Sequence, residues 1–83
     1  MKEPNITFHN ELKLKVQAQI FVESELISGC VVEPGKSCTM TASPGRFDIY
    51  CKNGKTGWIL TYKLNSNAQS FTLRSHNGGY IIT

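Results

Sequence analysis

From Leu12 to Val22 apolar side chains take every second position: Leu12, Leu14, Val16, Ala18, Ile20 and Val22 stand against Lys13, Lys15, Gln17, Gln19 and Phe21. A helix would scatter that set around its circumference, whereas residues two apart in a strand share a face, so the spacing predicts one long strand over 12–22 with a wet side. The same period recurs in shorter stretches. Ile6 and Phe8 share a face in residues 4–9, Cys38, Met40 and Ala42 in 37–42, Phe47, Ile49 and Cys51 in 47–52, and Phe71 and Leu73 in 69–74. Tyr80-Ile81-Ile82 reads as a last short strand. Two stretches are less regular. Residues 26–32 carry their apolar side chains in pairs, Leu26-Ile27 and Val31-Val32, around Ser28-Gly29-Cys30, which leaves the buried face undecided and suggests a bulge at Gly29. Residues 58–64 are expected to put Trp58, Leu60, Tyr62 and Leu64 on one side and Ile59, Thr61 and Lys63 on the other.

Turn chemistry separates these runs. In Glu33-Pro34-Gly35-Lys36 proline presets φ at the second position and glycine accepts positive φ at the third, as a type II turn needs, and Ser43-Pro44-Gly45-Arg46 repeats the signal. Asn53-Gly54 predicts a tight hairpin, with Gly57 as a second positive-φ position if the loop is longer, and Ser75-His76-Asn77-Gly78-Gly79 reads as a second glycine turn of hairpin type. His9-Asn10-Glu11, Glu23-Ser24-Glu25 and Asn65-Ser66-Asn67-Ala68 read as polar breaks. Pro44 to Leu64 is then the central hairpin. Seven or eight short strands at spacings near ten residues predict an all-β fold, a small antiparallel β-sandwich, with a small closed β-barrel as the alternative. The two proline-glycine turns bracketing a strand are similar in spacing to small immunoglobulin-like and transthyretin-like modules. The Cys-Trp-Cys arrangement of true immunoglobulin domains is missing.

Length narrows the picture further. Eighty-three residues make one domain, 1–83, whose folding removes only about 60 to 65% of the unfolded surface from water, so its core is thin and two-layered. No window approaches the roughly 18 apolar residues of a helical membrane span, and Met-Lys-Glu-Pro-Asn lacks the apolar segment of a secretory signal. A cytoplasmic protein without a membrane partner is expected if the reading frame is complete. Asn5-Ile6-Thr7 fits a glycosylation acceptor, which matters only in a secreted protein. Cys30, Cys38 and Cys51 match neither a close metal-ligand pair nor a redox Cys-x-x-Cys, which leaves two readings: small buried hydrophobes in a reducing compartment, or a Cys30 to Cys38 bridge across the turn at Pro34.

Catalytic, cofactor and metal candidates are poor. Gly54-Lys55-Thr56 resembles the end of a phosphate-binding loop, but the earlier glycine is replaced by Ile49 and a strand follows where a helix should. His9 and His76, the only imidazoles, sit beside asparagines without a nucleophile elbow or metal-ligand spacing. No catalytic residue, cofactor or metal is assigned, and a non-enzymatic binding module is expected. Its partner is expected to be a protein, which includes a copy of the same chain. Phe21, Tyr50 and Ile59, apolar residues on faces opposite the core, are the contact candidates, with Lys55 at the tip of the 53–57 loop. The alternative is single-stranded nucleic acid held by Lys13, Lys15, Lys52 and Arg74, since cations attract phosphates and exposed aromatics stack on bases. A net charge of +3 permits an anionic partner without demanding one.

Overall fold

The computed structural model describes residues 5–42 and 45–83. Pro4, at the head of the first expected strand, and Ser43 and Pro44 of the second expected turn lie outside them. The described residues form eight strands: β1 (Asn5–Asn10), β2 (Val16–Val22), β3 (Glu25–Val32), β4 (Ser37–Thr41), β5 (Phe47–Asn53), β6 (Ile59–Ser66), β7 (Ser70–His76) and β8 (Gly79–Ile82). They build two four-stranded sheets, ordered β4-β1-β7-β8 and β3-β2-β5-β6, packed as an open sandwich and not closed into a barrel. One pairing departs from antiparallel order. β1 runs parallel to β7, with Phe8 beside Phe71 and Asn10 beside Leu73.

Alternation dictates the core. Ile6, Phe8, Met40, Phe71, Leu73 and Ile82 from the first sheet face Val16, Ala18, Ile20, Val32, Phe47, Ile49 and Cys51 from the second, all buried. Phe47 and Phe71 meet edge to face across the layer, with centroids 6.0 Å apart. The expected strand over 12–22 is shorter at its start, beginning at Val16. Leu12 is still buried and Leu14 half-buried, so the in-out alternation outlasts the strand. The cause is Asn10, which the sequence suggested as part of a polar break. It ends β1 fully buried, its Oδ1 accepting from the Leu12 N–H (2.9 Å) and its Nδ2 donating to the carbonyls of Leu14 (2.9 Å) and Val32 (3.1 Å). Those bonds hold residues 11–15 in a bend that carries the chain from one sheet to the other.

The turns divide. Pro34-Gly35 behaves as expected, with positive φ at Gly35 (74°) and Lys36 N–H bonded to the Glu33 carbonyl at 3.1 Å. Asn77-Gly78 also takes positive φ at both positions, 46° and 79°. Asn53-Gly54 does not make the expected tight turn. Asn53 instead accepts on its side-chain oxygen from Lys55 N–H (2.8 Å) and Thr56 N–H (3.2 Å), and the left-handed position falls at Gly57. Gly54 serves a different need: its N–H reaches the Lys15 carbonyl at 2.8 Å, and a Cβ there would sit 2.7 Å from the Lys15 side chain.

Cys30 and Cys38 form a disulfide, with Cα atoms 6.7 Å apart. The reading of all three cysteines as unbridged hydrophobes is therefore overturned for this pair and holds for Cys51, which is buried and free. The bridge stitches β3 to β4, edge strands of different sheets.

Candidate functional site

The outer faces of the two sheets differ in chemistry. On the β4-β1-β7-β8 sheet the register sets Thr7 beside Thr39 and Ser70, and His9 beside Ser37 and Thr72. That face is a lawn of hydroxyls. His9 is therefore within a strand and not in a turn, its Nδ1 hydrogen-bonded to Ser37 Oγ at 2.6 Å, while His76 stands at the other hairpin beside Asn77. The two imidazoles are not brought together.

On the β3-β2-β5-β6 sheet the outer face is built from three cross-strand rows. Val31, Gln17, Lys52 and Ile59 form one; Gly29, Gln19, Tyr50 and Tyr62 the middle one; Leu26, Phe21 and Asp48 the third. Rings connect neighbouring strands. Phe21 and Tyr50 meet edge to face with centroids 5.3 Å apart, and Tyr50 and Tyr62 lie 5.5 Å apart with planes tilted by 32°. Phe21, Ser24, Asp48, Tyr50, Lys52 and Ile59 line an open groove of about 310 Å³. The three contact candidates Phe21, Tyr50 and Ile59 thus come together, although they lie on three different strands.

Sequence reasoning missed Tyr62 on this side; it expected one member each of Leu26-Ile27 and Val31-Val32 to face away from the core, and these are Leu26 and Val31. β6 was expected to present Trp58, Leu60, Tyr62 and Leu64 on one face, and it does not. The β5/β6 register shifts twice, between Phe47 and Ile49 and between Cys51 and Lys52, so Ile59 and Tyr62, three apart, both face outward and Ser66 is buried opposite Phe47. Trp58 (78% exposed), Tyr62 (56%) and Leu64 (52%) stand in water. A bulge changes the phase of every residue beyond it, which alternation alone cannot anticipate. The β2/β3 shift likewise falls between Ile20 and Phe21, where Leu26 pairs with Phe21 and Ile27 is passed over, and not at Gly29. Gly29 has another use. A Cβ on it would approach the Ala18 carbonyl to 3.2 Å and Gln19 Cγ to 3.6 Å, and the Gln19 side chain lies over that gap. Gln19 Oε1 is buried without a hydrogen-bond partner among the described residues.

The cationic candidates are dispersed. Lys52 is on the aromatic face, and Arg74 is on the opposite sheet, paired with Glu11 at 3.4 Å. Lys15 pairs with Glu33 at 3.5 Å. Lys13, Lys15 and Lys55 line a separate hollow with Glu33, Pro34 and Asn53, at the end of the sandwich where the 53–58 loop meets the bend after β1. Two of the five cations named from the sequence are thus engaged by carboxylates. Asp48 is partly occupied too, accepting from Asn65 N–H at 2.9 Å. Among the described residues no three His, Cys, Asp or Glu side chains gather where a metal could be held. Among the described residues no helix is long and apolar enough to cross a membrane.

No protein-family model, curated protein or solved structure matches this chain. What the site can do rests on its own chemistry.

Proposed function

We propose that the protein is a binding module that acts through a protein-protein contact on the outer face of the β3-β2-β5-β6 sheet. The observation that carries this is the contrast between the two sandwich faces: threonine and serine dominate one, while Phe21, Tyr50, Tyr62, Ile59, Leu26 and Val31 share the other. An isolated exposed apolar residue is ordinary, but aromatic and aliphatic side chains gathered on one rigid surface are the composition of an interface core. Tyrosine suits such a place because it offers a large flat area with little rotamer entropy to lose and a hydroxyl that tolerates water when the partner is away. Lys52 and Asp48 supply polar contacts at the flanks of the groove. Single-stranded nucleic acid draws less support, since the cations that would follow a phosphate backbone are split between both sheets.

Retention of partner proteins from native cell extract by the immobilised chain provides the test, run against Tyr62→Ser and Ile59→Ser. Both substitutions are at exposed positions and should cost about 1 kcal/mol or less, the larger part at Tyr62, which gives up its ring contact with Tyr50. The wild type is expected to hold a protein that both variants bind at least tenfold more weakly. Equal retention by all three chains, or none by any, overturns the assignment.

A further inference from the structure

The same face is complementary to itself. We infer that its partner is a second copy of this chain, packed face to face about a two-fold axis along the Gly29-Gln19-Tyr50-Tyr62 row; this rests on the protein-binding role proposed above.

Two sheets that meet through the same surface are related by an axis lying in the plane between them. When that axis follows the middle row, each strand crosses its own symmetry mate in the reverse direction and the two outer rows exchange places. On β5, Asp48 then lies over the partner's Lys52 and Lys52 over the partner's Asp48, because the two stand two residues to either side of Tyr50. On β3, Leu26 lies over the partner's Val31, apolar on apolar. On β2, Phe21 covers the stem of the partner's Gln17, and on β6 the exposed Ile59 and Leu64 flank Tyr62 from either side. Like charges never meet. An axis parallel to the strands and lying along β5 would instead lay Asp48 over the partner's Asp48 and Lys52 over the partner's Lys52, so the charges favour the first arrangement over that one.

The row on the axis fits the same geometry. Tyr50 and Tyr62 meet their own copies, and offset stacking of rings is favourable between identical residues. Gln19 lies beside its own copy on the axis, and a primary amide carries both a donor and an acceptor, so the pair is self-complementary in chemistry. Gly29, at the β3 end of the axis, adds no side chain of its own and is covered by that of Gln19. Packed sheets lie about 10 Å apart with strands within about 30° of alignment, which the twist of each sheet accommodates. A net charge of +3 per chain opposes self-association at long range, but the face itself carries one cation and one anion and adds nothing to that repulsion.

Charge reversal tests both the partner and the axis. Wild type, Asp48→Lys and Lys52→Asp are each examined by sedimentation over a wide concentration range, and the two variants are then mixed in equal amounts. The wild type is expected to dimerise. Each variant alone should dissociate at least tenfold more readily, since it sets two like-charged pairs against each other, and the mixture should recover dimers because every reversed charge then meets its opposite. Asp48 accepts a backbone bond, so Asp48→Lys could disturb β5 and β6; Lys52→Asp breaks no described hydrogen bond and carries the test by itself if the other variant misfolds. A wild type that stays monomeric overturns the inference; if that monomer still retains a foreign protein through Tyr62, the protein-binding role survives, and if it retains only single-stranded RNA both fall. A wild-type dimer indifferent to Lys52→Asp, or two weakened variants that fail to rescue each other, also overturns it.

Discussion

Burial pushes the Cys51 thiol up to about 12 from its ordinary value of 9.0. The side chain is fully enclosed opposite Ala18, and a thiolate moved there from water would lose its hydration with no cation to replace it. In the unfolded chain the proton leaves near 9.0, whereas the native state keeps it to about 12. Between those values the unfolded state binds fewer protons, so stability is whole below pH 9 and declines as pH rises through that window. The urea midpoint of the wild type is expected to fall between about pH 8 and about pH 11, and Cys51→Ala should remove part of that slope. An unchanged slope would show that other groups set the alkaline limit. The position was legible from the chain alone, since Phe47, Ile49 and Cys51 keep strict alternation, while that of Tyr62 was not, because two register shifts intervene.

Turns are where local chemistry and the final conformation part most clearly. Glu23 and Ser24 join β2 to β3 with φ of 51° and 68°, a two-residue hairpin turn that usually calls for Asn-Gly. Neither side chain favours the left-handed region, so the hairpin holds local strain of order 1 kcal/mol that packing of β2 and β3 offsets. Introducing Glu23→Asn together with Ser24→Gly is expected to stabilise the protein by about 1 kcal/mol, read as a rise in the urea midpoint with no change in slope. Asn53-Gly54, which carries the favoured sequence, does not use it. There the N–H of Gly54 is taken by Lys15 and the Asn53 side chain caps its own loop, so contacts distant in sequence outweigh the local preference.

The sandwich itself is closed at one side by two stitches between its layers. The Cys30–Cys38 bridge joins β3 to β4, and Asn10 ties the end of β1 to Leu14 and to the last residue of β3. Asn10→Ala would remove three hydrogen bonds at once, those to the Leu12 N–H and to the carbonyls of Leu14 and Val32, and a buried group left unpaired costs roughly 1 to 3 kcal/mol. A loss of about 3 kcal/mol in urea unfolding is expected, and a loss below about 1 kcal/mol would mean that water reaches those groups. Nothing in His9-Asn10-Glu11 set this asparagine apart from the surface asparagines of other turns. The succession of strands along the chain was determined locally, because alternation follows from the pleat of a single strand and needs no neighbour. Burying the apolar sides of these strands in so short a chain calls for a sandwich or a small closed barrel, and the pairing into two four-stranded sheets decides for the sandwich. Register shifts, the parallel pairing of β1 with β7, the burial of Asn10 and the meeting of Phe21, Tyr50, Tyr62 and Ile59 on one face depend on which strands lie side by side. That choice is made by contacts between residues far apart along the chain, and no local pattern encodes it.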